Sequence, residues 1–499
     1  MRGRRKQIIS LLLAMMLVLC DLQIVANAEE TSNGVPEGVV LNYHDTDPID
    51  SSFAEDESFP AFYSDLPESY SASSNIPDYI EVDSKDDVVT SVKEQNPYGT
   101  CWAHAAISLA ESSAIKNGAA STASNYNEYQ LVHYAYGVAA DSLNLFGGDY
   151  NSGSTGTQNL KEGGNNLISL CMFASWHGAS NASESTYGAS QIEDEIAAES
   201  VLGYSDAAHM ENGYVLTMPD MSSNNYATDM NVIKMMIMEY GSVAISYYAE
   251  HSPTYYKGCY QYYNESHTTN HAVTVVGWDD SVSKDSFAIA APGDGAWIVK
   301  NSWGDDWGAG GYFYLSYYDA TIAQNAFAFD FASGDNYHNN YQYDGTGNYY
   351  GYVGGYYGQV VAANAFVADS NETLKAVGFF TRSINTDYEI QIYRRLEDGA
   401  NPNTGSLVLT QTGSQTFVGY HTVELDAAIP IDAGERYAVV VTLKGDADDY
   451  MLFPADEWDD WGWVSFWPGA KAGESYVGAD VSILEDINPR NTDDYYSGK

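Results

Sequence analysis

The sequence predicts an α+β fold, in which a helical region is followed by a β-rich region and then by a separate all-β domain. After Cys101, apolar side chains recur at helical spacing as far as Ala110, which is typical of an amphipathic helix. From about residue 335 strand patterns alternate with turn-rich gaps, which is typical of a β-sandwich. Between these regions, short apolar runs rich in β-branched residues predict strands at 242–247, 271–277, 296–301 and 311–317.

Helix boundaries are marked by cap and turn residues. The chain from 95 to about 215 is expected to be dominated by helices, with a Gly/Ser/Asn-rich loop at 147–159 that could border a cleft. The helix that starts at Cys101 should end at Asn117–Gly118, because glycine commonly closes a helix. Further helices are expected to open at 125–132, to span 165–176 and to span 229–240.

Three polar side chains stand at the ends of these elements and form a candidate site. Cys101 begins its helix, where the positive end of the helix dipole would favour a thiolate. A lone cysteine is otherwise best explained as a small buried apolar side chain. However, His271 opens one predicted strand and Asn301 ends another. A cysteine nucleophile needs a base and a group that orients the base, so these two residues favour the reactive interpretation of Cys101.

The segments around these residues resemble the motifs of papain-type cysteine proteases, in the same order along the chain. The resemblance covers roughly residues 66–332. It implies a two-lobed catalytic domain, with a helical lobe, a β-barrel-like lobe and a cleft that suits an extended peptide. The matched residues are Gln95 as oxyanion donor, Cys101-Trp102-Ala103 as the nucleophile motif, Asn270-His271-Ala272-Val273 as the base motif, Asn301 as the orienting residue, and Trp303, Gly163 and Gly164 as residues of the substrate cleft.

Two positions depart from the family pattern. Tyr98 stands where the family usually has a second cysteine, so one common disulfide cannot form. His104 replaces an apolar aromatic residue. We expect it to pack beneath the active-site helix, because a residue three positions after Cys101 points away from the thiol.

The rest of the chain divides into four parts. Residues 1–28 are typical of a secretory signal peptide, with a basic start, a short apolar core and a small-residue cleavage site. Residues 29–65 are acidic and form either a lead-in or a short pro-segment. The β-sandwich at 335–485 is similar to the lectin-like domains that follow papain-type domains in some secreted bacterial peptidases. A polar tail follows at 486–499.

Aromatic and acidic side chains cluster late in the β-sandwich. The aromatic rings either stack on sugars or pack in the core or against the other domain, and their large apolar surface favours packing. The acidic residues lack the alternating pattern of a calcium loop. The cluster contains Trp458, Trp461, Trp463, Phe466 and Trp467, with Asp456, Asp459 and Asp460 beside it.

Composition limits the classes of function. The 499 residues carry a net charge of −47 at pH 7, which argues against nucleic-acid binding, because such surfaces are basic. No apolar run reaches the length of about 20 residues that a membrane span needs. Beyond the signal peptide the cysteines are too few for a disulfide scaffold, and Cys171 and Cys259 either pair or are buried as small apolar residues.

The predicted function is that of a secreted, extracellular bacterial cysteine peptidase. It would hydrolyse peptide bonds as an endopeptidase through a thioester acyl-enzyme, without a cofactor or metal. Its substrate would be a protein or peptide, and the lectin-like domain could bind a glycan or another cell-surface ligand. One alternative is a secreted adhesion or carbohydrate-binding protein with a vestigial protease-like domain. Another is a Cys-His-Asn acyltransferase, which would leave the segment Asn301-Ser302-Trp303-Gly304 unexplained.

Overall fold

The computed structural model covers most of the chain outside its termini. The predicted signal peptide, residues 52–65 and the last twelve residues of the predicted tail lie outside the described part, as do Trp458 and Asp456. The described residues are 35–36, 38–49, 51, 66–77, 82–137, 143, 145, 149–153, 156–181, 206–250, 252–345, 352–397, 399–446, 450–454, 459–469 and 471–487.

The described residues include four α-helices, at the positions that the cap signals predicted. The side chains of Asn127 and Asn165 cap the second and third helices by accepting hydrogen bonds from backbone N–H groups of their first turns. Gly241 closes the fourth in a left-handed conformation, with φ of 88°. The helices are α1 (Cys101–Lys116), α2 (Glu128–Tyr136), α3 (Asn166–Ala174) and α4 (Tyr226–Tyr240).

Helix α1 is buried on nearly every side, so the prediction of an amphipathic helix with one buried face was wrong. Every residue from Cys101 to Ala114 is buried. Strands pack against one side, while α2, α3 and α4 pack against others. The polar side chains of α1 have protein partners in place of water: Glu111 accepts a hydrogen bond from Lys93 at 2.8 Å. Burial of these polar groups is tolerated because they are paired.

The strands of the predicted catalytic domain, called the catalytic region below, form a large sheet in which β8, the strand that His271 opens, lies near the centre. The order within this region is β4-β11-β5-β8-β9-β10-β7-β6, and β1 pairs with β8 and β2. The strands are β1 (Ser69–Ser71), β2 (Ser84–Lys85), β3 (Tyr150–Ser152), β4 (Ala208–Thr217), β5 (Val243–Tyr247), β6 (Tyr256–Lys257), β7 (Tyr260–Gln261), β8 (His271–Asp279), β9 (Ala296–Lys300), β10 (Tyr312–Ser316) and β11 (Asn325–Ser333).

The structure corrects a second prediction at strand β4. The sequence between 95 and about 215 was expected to be dominated by helices, but β4 lies at its end. Most of β4 is buried, including both alternating sets of its residues from Gly213 to Thr217. A strand that is buried on both faces loses the polar alternation by which a strand is recognised in a sequence.

The region after residue 335 is the all-β sandwich that the sequence predicted. One sheet has the order β16-β15-β18-β13-β22-β23, and the pair β14-β17 lies on the other side of a core that includes Ile390, Val441, Phe379 and Val423. The strands are β12 (Tyr352–Tyr357), β13 (Gln359–Val367), β14 (Glu372–Thr381), β15 (Thr386–Arg394), β16 (Ser406–Gln415), β17 (Val418–Ile431), β18 (Arg436–Lys444), β19 (Tyr450–Pro454), β20 (Asp459–Asp460), β21 (Ser465–Trp467), β22 (Ser475–Gly478) and β23 (Glu485–Asp486).

The two domains are joined by strand pairing at two places. Strand β17 pairs with β4, so that the β14-β17 pair continues the large sheet of the catalytic region. Strand β21 pairs with β3, which belongs to the loop predicted at 147–159. The sandwich is therefore bonded to the edge of the catalytic sheet and to a loop on the helical side.

The described residues answer two questions raised by the sequence, on disulfide pairing and on membrane-spanning helices. Cys101, Cys171 and Cys259 are buried and no disulfide joins them to one another, so the alternative in which Cys171 pairs with Cys259 is excluded. Among the described helices, none combines the length and the apolar character that a membrane crossing requires.

Candidate active site

The antiparallel pairing of β8 with β9 brings the predicted base and its orienting residue together. Thr274 of β8 lies opposite Lys300 at the end of β9, so the start of one strand adjoins the end of the other. His271 Nε2 donates a hydrogen bond of 2.8 Å to Asn301 Oδ1. No hydrogen-bond partner among the described residues reaches His271 Nδ1, so this nitrogen is available for proton transfer.

Trp303 covers the contact between His271 and Asn301. Its ring lies 4.8 Å from the imidazole centroid with an angle of 22° between the planes. Asn301 is 3% exposed and Trp303 is 2% exposed. Because water is kept from the hydrogen bond, the orientation of the imidazole is held more firmly than it would be at the surface.

Gln95 is held in place by a residue of the Asn301 motif. Its Oε1 accepts a hydrogen bond from Ser302 Oγ at 2.7 Å, and its backbone N–H donates to the carbonyl of Ser302 at 2.8 Å. Its Nε2 donates to the carbonyl of Tyr98 at 2.9 Å, beside the start of α1. The side-chain amide therefore lies between the Asn301 loop and the turn that leads into Cys101.

Cys101 begins α1 at the base of the cleft, against the backbone of Ala272. The thiol is completely buried, and this burial raises its pKa to about 11, although nearby backbone groups of Ala272, Trp102 and Cys101 itself act in the opposite direction. Burial likewise lowers the pKa of His271 to about 4, with Asn301 opposing the shift. The helix dipole alone was expected to favour a thiolate. That expectation fails in this state, because desolvation outweighs the dipole.

Residues 38–49 run through the cleft and add to this burial. The Tyr43 backbone forms a parallel bridge with Gly164, and its N–H donates to the carbonyl of Asn270, next to His271, at 3.2 Å. The Tyr43 side chain is 6% exposed and belongs to the same buried cluster as Cys101. The far end of the segment is anchored where Ile49 N–H donates to Asn325 Oδ1 at 3.0 Å.

Gly163 and Gly164 are each required to be glycine, for a different steric reason. Gly163 has φ of 88°, and a Cβ there would overlap the carbonyl oxygen of Asn42 in the cleft segment. Gly164 has φ of 152°, and its Cβ would overlap the ring of Trp102. Asn42 Nδ2 also donates to the carbonyl of Glu162 at 2.7 Å. The backbone of this pair therefore contacts the segment directly, as expected of residues that line a cleft.

Charged side chains with little exposure cluster beneath the site, and this cluster was not predicted from the sequence. Lys93 bridges Glu111 at 2.8 Å and Glu128 at 2.6 Å. Burial lowers the pKa of Lys300, which precedes Asn301, to about 8. His104 packs beneath the helix as predicted, with Nδ1 bonded to the carbonyl of Thr100 at 2.9 Å. Single polar residues in an apolar helix pattern carry no signal that identifies their partners in advance.

Comparison with known proteins identifies both regions. A sequence profile described as papain family cysteine protease matches residues 76–329. The chain belongs to the papain family of cysteine proteases. A second profile, described as a lectin like domain, matches residues 340–495. The papain-family region is thus followed by a lectin-like domain, as the sequence pattern predicted.

Curated relatives match parts of the papain-family region. The viral cathepsin of Adoxophyes honmai nucleopolyhedrovirus is 28% identical over 227 residues, which cover 45% of this chain and 53% of the relative. Cathepsin B-like CP2 of Giardia intestinalis is 30% identical over 113 residues, which cover 21% of this chain and 34% of the relative. The chain therefore spans about half of the first relative and a third of the second.

Two solved structures share the order of the domains. One is the clostridial cysteine protease Cwp84 after propeptide cleavage, with a TM-score of 0.63 and 21% identity, covering 80% of this chain and 92% of that chain. The other contains the cysteine protease and lectin-like domains of Cwp84, described as a surface layer associated protein of Clostridium difficile. Its TM-score is 0.60 at 21% identity, covering 80% of this chain and 83% of that chain. These likenesses show the fold.

A cavity of about 670 Å³ lies away from the candidate site, between the catalytic region and the β-sandwich. Trp176, Glu211 and Tyr437 are among its lining residues, while Cys101 and His271 are not.

Proposed function

We propose that this protein is a secreted cysteine peptidase in which Cys101 is the nucleophile, His271 the base, Asn301 the group that orients the base, and Gln95 an oxyanion donor. The observation that carries the proposal is the hydrogen bond from His271 to Asn301 beneath Trp303, beside the start of the Cys101 helix. A base oriented in this way near a cysteine is the arrangement that nucleophilic catalysis requires.

The reaction would proceed in two steps. Cys101 passes its proton to His271, and its sulfur attacks the peptide carbonyl, so that a C–S bond forms. The negative oxygen accepts hydrogen bonds from the Gln95 amide and the Cys101 N–H, and His271 then protonates the amine as the C–N bond breaks. Water, deprotonated by His271, attacks the thioester, and the C–S bond breaks to release the acid and the thiol.

We propose further that residues 29–65 are a pro-segment rather than a lead-in. In support, residues 38–49 lie in the cleft, where Cys101 and His271 are completely buried. In that state both groups would be neutral at pH 7, since burial raises the pKa of one and lowers that of the other. Departure of the segment would return water to the site and allow the thiolate and imidazolium pair to form.

Export from the cell is supported by the signal-peptide pattern at 1–28 and by the fold shared with a surface layer associated protein. The preference for endopeptidase action stays a prediction, as does a glycan or cell-surface ligand for the lectin-like domain.

The test uses the full chain with a recognition sequence for a site-specific protease inserted within residues 52–65. The protein folds with its segment, which is then cut free. We expect iodoacetamide to modify Cys101 rapidly after the cut, with Cys171 and Cys259 as internal controls for buried thiols. A peptide library should be hydrolysed by the cut protein and not by its Cys101→Ala variant. Slow labelling together with no hydrolysis would instead favour an adhesion protein with a vestigial protease-like domain.

A further inference from the structure

A loop of the lectin-like domain reaches the substrate cleft of the catalytic domain. Strands β20 and β21 carry this loop, and β21 pairs with β3. Val464 and Phe466 anchor it, since they are 1% and 0% exposed within the core cluster that surrounds α1. The ring of Trp463 lies 5.9 Å from that of Tyr136, whose hydroxyl donates to the carbonyl of Gly163 at 2.8 Å. Trp463 is thereby fixed next to the cleft-lining glycines.

Trp463 forms one wall of a slot that His44 of the cleft segment occupies. The imidazole and indole rings are stacked, with centroids 4.0 Å apart and an angle of 6° between the planes. At the edge of the imidazole, Nε2 donates to the carbonyl of Glu162 at 2.7 Å. The His44 backbone N–H donates to the carbonyl of Gly164 at 3.1 Å. The slot thus offers a flat apolar surface to the face of a planar side chain and a hydrogen-bond acceptor to its edge.

We propose that, once the segment has left, this slot is a substrate subsite shared by the two domains. It would accept a planar side chain that carries N–H donors at its edge, namely histidine or arginine. The indole face attracts such groups by stacking and, when they are charged, by cation–π interaction. The carbonyl of Glu162 selects for an N–H donor over a phenyl ring. This inference rests on the proposed peptidase function, and it gives the lectin-like domain a role in choosing the peptide.

The position of the slot relative to the thiol supports a specificity role. Tyr43 shares a buried cluster with Cys101 and interacts with it electrostatically, and His44 is the next residue along the segment, with its backbone held by Gly164. A peptide held by the same glycine would place one side chain in the slot while its neighbouring backbone faced the nucleophile. A contact so close to the reacting bond affects the alignment of the substrate as well as its affinity.

The first experiment measures binding and needs no catalysis. The full chain carrying Cys101→Ala and the inserted cleavage site is cut, and the segment is washed away. Fluorescent peptides with the sequence of residues 36–49 are then titrated, with His, Arg, Phe or Ala at the position of His44. We expect the His and Arg peptides to bind about tenfold more tightly than the Ala peptide, from stacking together with one hydrogen bond, and the Phe peptide about threefold more tightly.

Two variants of the lectin-like domain test whether Trp463 is responsible for the binding preference. Trp463→Ala should reduce the preference for His over Ala to about threefold, because only the hydrogen bond would remain. Trp467→Ala is the matched control, since Trp467 is on the same hairpin and 39% exposed, and it should leave the preference unchanged. Equal affinity of all three proteins for the Ala peptide shows that the cleft is intact. An undiminished preference in Trp463→Ala, or equal binding of the His and Ala peptides to the parent protein, would overturn the proposal.

Failure of the subsite and failure of the peptidase function give different results. Both can be tested in protein with Cys101 intact, by measuring hydrolysis of two substrates that differ only in having His or Ala at the slot position. If the subsite is absent, both substrates are cut at similar rates by the parent and by Trp463→Ala. If the peptidase function is absent, no substrate is cut by any variant, while the binding preference for His and its loss in Trp463→Ala persist.

Discussion

His271 Nε2 donates a hydrogen bond of 2.8 Å to Asn301 Oδ1, which leaves Nδ1 as the imidazole nitrogen without a described partner. This single contact determines which nitrogen of the proposed base can exchange a proton with Cys101. It also joins two strands that the sequence could only place separately.

Replacing Asn301 tests this orientation. We expect Asn301→Ala to lower kcat/KM by about 10- to 100-fold, a part of the contribution that a positioned base makes to catalysis. The matched variant Asn301→Asp keeps an oxygen acceptor for Nε2. Its negative charge should raise the pKa of His271, so the imidazolium of the ion pair persists to higher pH and the alkaline limb of the pH profile moves to higher pH. Identical pH profiles for Asp and Asn at this position would contradict the assigned contact.

Gln95 is expected to act on the transition state. Gln95→Ala removes an amide donor that Ser302 holds in place at 2.7 Å. The barrier should rise by about 2.7–4 kcal/mol, which lowers kcat with little change in KM. Gln95→Glu is the control of equal shape, and it should be similarly impaired because a carboxylate cannot donate to an oxyanion. A loss of less than tenfold in both would indicate that the oxyanion is bound elsewhere.

The pH dependence of Cys101 labelling should differ before and after removal of the segment. With residues 38–49 in place, burial raises the pKa of Cys101 to about 11, so the thiolate is scarce at pH 7. Its fraction, and hence the alkylation rate, should rise about tenfold for each pH unit between 7 and 10. After the segment is cut away, labelling should persist well below the free-thiol pKa of about 8.5. Superimposable profiles before and after the cut would mean that the segment does not control the thiol.

The two glycines of the cleft should respond differently to alanine. In Gly163→Ala the new Cβ overlaps the carbonyl of Asn42, so we expect loss of the segment and at least about tenfold faster labelling of Cys101 in the uncut chain. In Gly164→Ala the Cβ overlaps the ring of Trp102 in the core. That variant should lose about 1–3 kcal/mol of unfolding free energy, measured by denaturant titration. Equal effects of the two changes on labelling would contradict the different roles assigned to Gly163 and Gly164.

The buried charges beneath the site should be costly to disrupt. Glu111 is fully buried and bridges Lys93, whose side chain is 18% exposed, so Glu111→Ala removes a partner of a largely buried cation. We expect a loss of about 3–5 kcal/mol in the free energy of unfolding. As a control, Lys471→Ala removes a partly exposed pair with Glu474 at 3.6 Å and should change stability by no more than about 0.5 kcal/mol. A small effect of Glu111→Ala would show that water replaces the lost carboxylate.

Several features of the fold could be read from local patterns. The caps at Asn127, Asn165 and Gly241 mark helix ends because each satisfies backbone groups within a few residues of itself. Strand β4 could not be read in this way, since it is buried on both faces and shows no alternation. The buried polar side of α1 was missed for a similar reason, because its partners, such as Lys93 for Glu111, come from other parts of the chain.

The sequence by itself determined the order of the motifs that contain Cys101, His271 and Asn301, and the succession of a papain-like region and a β-sandwich. These are properties of short segments, in which residue type and spacing directly reflect local structure. Only the tertiary structure decided that Tyr43 shares the buried cluster of the nucleophile, that burial makes Cys101 a weak acid, and that Trp463 of the second domain lies at the cleft. Contacts of this kind depend on how distant segments pack, and the desolvation they cause exceeds the local effect of a helix dipole.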